Sequence, residues 1–189
     1  ARKKKVILTF GYNTTEERVL KDGATTLNPS LATRKSHIQK ITDEIIRPNS
    51  DIILGGVGFL GIDGEWHAPS FAPESAERLS LLDQYLSRWP GRLPSVPWLL
   101  RTPSFLSSAL NSFAPSKAGF GHHNDCFITY CNDYGTYSFS PSRGCQSMDY
   151  NQTPFLEEKN YLARNAALVG GETCLCTSDT DVLCVNDPR

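Results

Sequence analysis

Two glutamates, Glu65 and Glu172, each follow a glycine just past the end of a predicted strand. Glycosidic cleavage needs such a pair: one carboxylic acid protonates the leaving oxygen, and one carboxylate attacks the anomeric carbon or activates water. Glycines around Glu65 allow a tight turn, so that its carboxylate can face a cavity. The sequence therefore predicts Glu65 and Glu172 as a catalytic pair. The alternative for Glu65 is a surface glutamate in a turn beside a packing tryptophan. The alternative for Glu172 is a structural turn, with a salt bridge to an arginine such as Arg101.

Other polar and aromatic residues follow the same strand ends and are candidates for binding a sugar. Trp66 adjoins Glu65 and offers either an apolar wall, which raises the pKa of a neighbouring carboxyl, or a flat platform for a sugar ring. Asp125, at the end of the fourth predicted strand, is a third candidate carboxylate. The loop Asn132–Tyr137 is aromatic and polar together, and could stack on saccharides. The alternative is a solvated loop held by a disulfide of Cys126, Cys131 or Cys145. The full set of binding candidates is Asn13, Trp66, His67, Arg101, His123, Asn124, Asp125 and Tyr134.

The sequence gives little support for a metal or a cofactor. The adjacent histidines 122 and 123 lack the H-x-H or H-x-x-x-H spacing of a ligand face, and no C-x-x-C is present. Cys174 and Cys176 are predicted as halves of separate disulfides. No G-x-S-x-G nucleophile motif occurs. The glycines of Gly55–Gly58 lie within a predicted strand with no helix opening directly after them, which is not the pattern of a phosphate loop.

The elements that must position these residues alternate between strand and helix, which is typical of a parallel α/β sheet. Polar residues follow all five strand ends. This favours a barrel, where the ends converge on one mouth, over an open doubly wound sheet, where they spread along an edge. The predicted strands are Lys5–Phe10, Asp51–Phe59, Val96–Arg101, Lys117–Ile128 and Ala166–Val169. The predicted helices are Leu31–Arg47, Pro73–Trp89, Pro103–Leu110 and Pro154–Asn165.

We therefore predict one α/β domain over residues 1–189, a (β/α) TIM-barrel-like fold that is incomplete at five visible βα units, with a cysteine-rich tail at 173–189. The net charge of −1 argues against a nucleic-acid partner, and no apolar run is long enough to span a membrane. The six cysteines cluster between Cys126 and Cys184, which predicts at least two disulfides and a secreted, extracellular protein. No signal peptide is visible. The alternative is a cytosolic protein with reduced thiols.

Four ordered blocks resemble a fungal and bacterial family of uncharacterised glycoside-hydrolase-like proteins, described as two adjoining domains of unknown function that together look like one TIM barrel. The blocks are KVILTFGYN (5–13), VGFLGIDGEWH (57–67), GHHNDCFI with DYGTYS (121–138), and ALVGGETC (167–174). The resemblance implies that the visible strands are barrel strands three to seven. With this strand numbering, the positions of the two glutamates resemble those of the retaining glycosidase clan, whose acid/base follows strand four and whose nucleophile follows strand seven. The resemblance implies Glu65 as acid/base and Glu172 as nucleophile. Gly64 stands where that clan usually has asparagine.

The leading hypothesis is a secreted carbohydrate-active protein, a retaining glycoside hydrolase acting on a polysaccharide or oligosaccharide without a cofactor. One rival is a lectin-like protein that binds saccharides without turnover. Another is a fragment of a longer barrel enzyme, because a complete barrel takes about 250 residues; a second chain would then complete the barrel. We expect Glu65, Asp125 and Glu172 to open into one cleft.

Overall fold

The computed structural model describes residues 4–12, 29–60, 64, 66, 75–89, 94–113, 119–124 and 153–172. Each of the nine predicted elements is present there, with shifted ends. The strands are β1 (Val6–Phe10), β2 (Ile53–Gly58), β3 (Trp98–Leu100), β4 (Phe120–Asn124) and β5 (Val169–Gly171). The helices are α1 (Leu31–Ile41), continued by a π-helical turn (Thr42–Ile46), α2 (Ser75–Leu86), α3 (Pro103–Ser112) and α4 (Thr153–Asn165).

The five strands form one parallel sheet in the order β1-β2-β3-β4-β5. Each strand therefore pairs with the next strand along the chain, and the order never reverses. A doubly wound open sheet has such a reversal, which the described strands lack, and their singly wound order is compatible with part of a β/α barrel. The structure shows a five-stranded half-barrel, which confirms the mixed α/β class.

The helices cover one face of this sheet, the convex face. The ring of Tyr85 in α2 lies 4.8 Å from that of Trp98 in β3. Beside them, the side chain of Ile46 approaches Gly56 of β2. Trp98 and Tyr85 are fully buried together with Ile46, so the main hydrophobic core lies between the sheet and the helices. Burial of such large aromatic side chains supplies most of the stabilisation of this layer.

The opposite, concave face carries Ile7 of β1, Leu99 of β3 and the glycines 55, 121 and 170. Leu99 is fully buried and fills the space over Gly55 and Gly121. The Cδ1 atom of Ile7 lies 2.9 Å from the position that a Cβ would take at Gly170. Since β1 and β5 are the two edges of the sheet, this approach shows that the sheet curls until its edges face each other across the concave side.

The first helix departs from the predicted pattern at its C-terminal end. The spacing of isoleucines predicts an inward face with Ile41 and Ile45, but Ile45 is 43% exposed and Ile46 is fully buried. The cause is the π-helical turn, in which Arg47 N–H donates to Thr42 O, five residues back. The wider turn places Thr42 and Ile46 on the buried side, so the prediction for Ile45 was wrong.

A β-bulge interrupts the pairing of β1 with β2. Val6 pairs with Ile53 and Ile7 with Gly55, which leaves Leu54 as an extra residue. Leu54 is 40% exposed, although the sequence predicts a strand that is buried on both faces. The bulge shifts the register so that Gly55 and Gly56 reach their partners on β1.

Candidate functional site

The carboxyl ends of all five strands lie along one side of the half-barrel, which we call the mouth edge; the strands end there at Phe10, Gly58, Leu100, Asn124 and Gly171. Parallel pairing of every neighbour produces this arrangement. Residues that follow the strand ends are therefore brought to one edge, as the sequence predicts. In β/α folds this is the side on which ligands bind.

Arg101 and His123 both lie at the mouth edge. Leu99 pairs with Gly121 and Leu100 with His122, and Arg101 is the first residue after β3. By strand alternation His123 belongs to the concave face, with Gly121. Arg101 is close enough to His122 for its charge to lower the pKa of that residue. Arg101 is 6% exposed and His123 is 7% exposed, and both have polar or electrostatic partners. A buried guanidinium and a buried imidazole at this edge are the kinds of group that orient a polar ligand.

Glu172 extends β5 by one residue at the same edge. Its backbone N–H donates a 3.0 Å hydrogen bond to the carbonyl oxygen of Asn124. Glu172 comes two residues after Gly170, which pairs with His123, so strand alternation assigns it to the concave face. The residue is exposed. The structure thus brings one predicted catalytic residue, Glu172, to the edge that holds Arg101 and His123.

Asn124 contributes differently from the sequence prediction. It is fully buried, and alternation puts it on the convex face with Phe120 and His122. What it supplies to the mouth edge is the backbone carbonyl that anchors Glu172.

The segment after β2 is held tightly against the end of β1. Phe59 N–H donates to Phe10 O at 2.8 Å. Gly64 has φ +79°, and a Cβ there would lie 2.3 Å from the same carbonyl oxygen. Phe59 and Trp66 both adopt left-handed backbone, with φ of +65° and +63°. Bulky residues rarely take this conformation, and strained backbone of this kind clusters at functional sites.

Trp66 is anchored by two hydrogen bonds. Its backbone N–H donates to Leu60 O, and its indole N–H donates to Gly58 O, both at 2.9 Å. The residue is 4% exposed, and its ring lies 5.9 Å from that of Phe105 in α3. This burial suits the predicted role of an apolar wall, whereas a sugar platform needs an exposed ring face. Trp66 also fixes the backbone next to the predicted catalytic position 65.

His122 lies behind the mouth edge, fully buried on the convex side. Its Nδ1 pairs with Leu100 O at 3.0 Å, so that nitrogen carries the proton and donates it, while Nε2 has no hydrogen-bond partner among the described residues. Burial lowers the pKa of His122 to about 4, and the charges of His123 and Arg101 lower it further, against the raising effect of the Leu100 carbonyl. His122 is therefore neutral at physiological pH.

A polar cluster beside the end of β1 has no counterpart in the sequence-based site. Tyr12 Oη and His37 Nδ1 are 3.0 Å apart, and buried Arg34 forms an ion pair with Glu77 at the start of α2. Burial raises the pKa of Tyr12 to about 12, although nearby Arg34 opposes the shift. The sequence spacing could have indicated the burial of Arg34, because it stands four residues before Ile38, on the inward side of α1.

Several predicted residues lie outside the described residues, namely Asn13, Glu65, His67, Asp125, Tyr134 and the six cysteines. The predicted cleft with Glu65, Asp125 and Glu172 together, and the disulfides, therefore stay predictions. Within the described ranges, no group of three or more His, Cys, Asp or Glu side chains is arranged to hold a metal ion. No helix in the described part of the chain is long and apolar enough to cross a membrane.

Comparison of the chain with protein-family models, with curated proteins and with solved structures gives no significant match. The case for a function therefore depends on the fold and on the mouth edge.

Proposed function

We propose that the protein is carbohydrate-active and that the mouth edge of the half-barrel binds the glycan. The observation that supports this proposal is that Arg101, His123 and Glu172 lie at the carboxyl ends of the three neighbouring strands β3, β4 and β5. Sugar rings present many hydroxyl groups, which are bound by convergent charged and polar side chains of this kind. The five βα units would belong to a TIM-barrel-like fold, in keeping with the resemblance to glycoside-hydrolase-like proteins.

The reaction that suits the residues is retaining glycoside hydrolysis with two carboxylates. Glu172 would attack the anomeric carbon, and Glu65 would protonate the leaving oxygen and then activate water. In support, Gly64 and Trp66, the residues on either side of Glu65 in sequence, are fixed beside the ends of β1 and β2. Buried Trp66 would exclude water near Glu65 and raise its pKa, as a general acid requires.

Glu172 has the opposite electrostatic setting, because it shares the mouth edge with the guanidinium of Arg101. A nearby guanidinium favours an ionised carboxylate, which is the form that acts as a nucleophile. The two glutamates would thus be separated in role by their surroundings: one beside apolar Trp66, the other on an edge with Arg101 and His123.

One observation favours a second candidate, a lectin-like protein without turnover. Glu172 is exposed and follows β5, which is an edge strand of the described sheet. A nucleophile usually works in a site from which water is excluded, and an open edge supplies no such enclosure. Binding of a saccharide does not require that water be excluded from the site.

The experiment is turnover on a panel of aryl glycosides and polysaccharides, with Glu172→Ala, Glu65→Ala and, as a matched control, exposed Glu157→Ala in α4. We expect both site variants to lose turnover and Glu157→Ala to keep it. Azide should restore Glu172→Ala by forming a glycosyl azide of inverted configuration, and restore Glu65→Ala with retained configuration, because it occupies the vacated space on opposite faces of the ring. Glycan binding by the wild type without any turnover would support the lectin-like candidate. Absence of both would overturn the proposal.

A further inference from the structure

Side chains from two helices hold the indole ring of Trp66. Its centroid lies 5.9 Å from that of Phe105 in α3, and the two ring planes are tilted by 56°. The guanidinium carbon of Arg78 in α2 lies over the Phe105 ring, 4.2 Å from its centroid, which is a cation–π distance. These three side chains, which we call the Trp66 clamp, join the segment after β2 to the first turns of α2 and α3.

Phe105 is itself fixed by the cap of its helix. Its backbone N–H donates a 3.1 Å hydrogen bond to the side-chain oxygen of Thr102, the N-cap residue of α3. Thr102 directly follows Arg101, at the end of β3. The position of the Phe105 ring is therefore set by the same strand end that brings Arg101 to the mouth edge.

Trp66 depends on such support because its backbone is left-handed, with φ +63°. A bulky residue keeps that conformation only where its surroundings hold it there. The hydrogen bonds to Gly58 O and Leu60 O fix the two nitrogen atoms of Trp66, and the Phe105 ring packs against its indole. Without that ring the indole can turn about its hydrogen bond, and the backbone at Trp66 is free to relax.

From this arrangement we infer that Phe105, supported by Arg78, is a positioning residue for the proposed general acid: by holding Trp66 it orients the preceding residue, Glu65. A general acid must aim its proton at the leaving oxygen, and a small misplacement of a catalytic group lowers the rate by a large factor. The inference depends on the proposed function, because Phe105 acts on the same site through Trp66.

The test compares two glycosides of one sugar, chosen as the sugar that the wild type hydrolyses fastest. Dinitrophenolate leaves with little need of a proton, whereas the alcohol of a methyl glycoside needs the acid. We expect Phe105→Leu to lower kcat/KM about tenfold or more on the methyl glycoside and about threefold or less on the dinitrophenyl glycoside. The ratio of the two losses does not depend on the fraction of folded protein, so a merely structural role would not change it.

The matched control is Phe113→Leu. Phe113 follows the last residue of α3, and its ring lies 5.8 Å from that of Phe120 with a tilt of 49°, a contact of the same kind at the other end of the helix. This variant should lower kcat/KM by equal factors on the two glycosides, if it lowers it at all. Phe105→Tyr keeps the ring and should retain the wild-type ratio.

Two further variants complete the comparison. Arg78→Met removes the charge over the Phe105 ring and should change the ratio in the same direction, by about threefold. Arg78 has a further interaction, so this variant supports the test and decides it where Phe105→Leu does not fold. Glu65→Ala is the reference, because loss of the acid itself should give the same selective loss on the methyl glycoside, to a greater extent.

Selective loss in Glu65→Ala with equal losses on both glycosides in Phe105→Leu would overturn this inference and leave the proposed function standing. A change of ratio in Phe113→Leu as large as that in Phe105→Leu would overturn it as well. Equal losses in Glu65→Ala would instead remove the acid assigned in the proposed function, and absence of turnover by the wild type on every glycoside would remove the hydrolase.

Discussion

The indole N–H of Trp66 donates a 2.9 Å hydrogen bond to the carbonyl oxygen of Gly58, and so joins the segment after β2 to the last residue of that strand. Both groups are buried. Trp66→Phe keeps most of the apolar area but leaves the Gly58 carbonyl without this donor. We expect it to lower the free energy of unfolding by about 1–3 kcal/mol, measured by urea denaturation.

The matched control is Trp89→Phe. The Nε1 of Trp89 is buried and has no acceptor in good geometry among the described residues, and the adjacent Tyr85 hydroxyl donates to Val96 O. Removal of this indole N–H therefore leaves no new unsatisfied group. We expect a change below about 1 kcal/mol for it. Equal destabilisation by the two variants would contradict the role assigned to the Trp66 hydrogen bond.

Protonation of His122 should destabilise the fold in acid. Its folded-state pKa of about 4 lies below the ordinary value of 6.5, so the unfolded chain binds the proton more readily between those values. Titration of His122 leaves the free energy of unfolding unchanged above pH 6.5. Between pH 6.5 and pH 4 it lowers the free energy of unfolding, by about 3 kcal/mol in total. Urea denaturation across this pH range measures it.

His122→Gln provides the comparison, because its amide can still donate to Leu100 O but does not titrate. The variant should show a flatter dependence of stability on pH between 4 and 6.5. If its slope equals that of the wild type, the acid sensitivity comes from other groups.

Substitution by alanine should destabilise the protein much more at Gly58 than at Gly170. Gly58 has φ +141°, and a Cβ there would lie 2.2 Å from Phe10 O, so Gly58→Ala should cost several kcal/mol, on the order of 3 or more. Gly170→Ala meets only the flexible end of Ile7 among the described residues and should cost about 1 kcal/mol or less. Thermal unfolding of the two variants checks the order, and a reversed order would contradict the backbone geometry described for β2.

Loss of the Arg34–Glu77 ion pair should lower the free energy of unfolding more than loss of an exposed ion pair does. Arg34 is almost fully buried, and its Nη1 has no hydrogen-bond partner in the part of the chain that the structure describes, so Glu77→Gln removes the carboxylate that compensates a buried charge. We expect a loss of about 3–5 kcal/mol. Asp43→Asn is the control: its pairs with Arg47 and Arg88 are partly exposed, and their loss should cost about 1 kcal/mol or less. Denaturation at low and high salt tests both, and comparable losses would refute the argument from burial.

The cysteines give a prediction that rests on the sequence. We expect at least two disulfides among Cys126, Cys131, Cys145, Cys174, Cys176 and Cys184. Alkylation of the protein without reductant, followed by mass spectrometry, counts the free thiols. Six free thiols would contradict both the disulfides and the extracellular location.

The order and type of the elements could be predicted because apolar periodicity and Pro or Gly stops mark each one. β5 was placed three residues early, since Ala166 and Leu168 extend its apolar run, yet the ladder begins at Val169. The position of Glu172 at the mouth edge followed from strand order alone. Two features were not predictable: the left-handed backbone at Phe59 and Trp66, and the π-helical turn at Thr42–Ile46. Both arise from tertiary packing, which overrides local preference.

The strand order of the half-barrel has a consequence for its biosynthesis. Because every strand pairs with the one made just before it, the sheet can lengthen one unit at a time as the ribosome releases the chain. The contact of Ile7 with Gly170 is different, since it joins residues near opposite ends of the chain and forms only after β5 has been made. Until then Ile7, on the first strand, lacks this contact, and the two edges of the sheet stay apart.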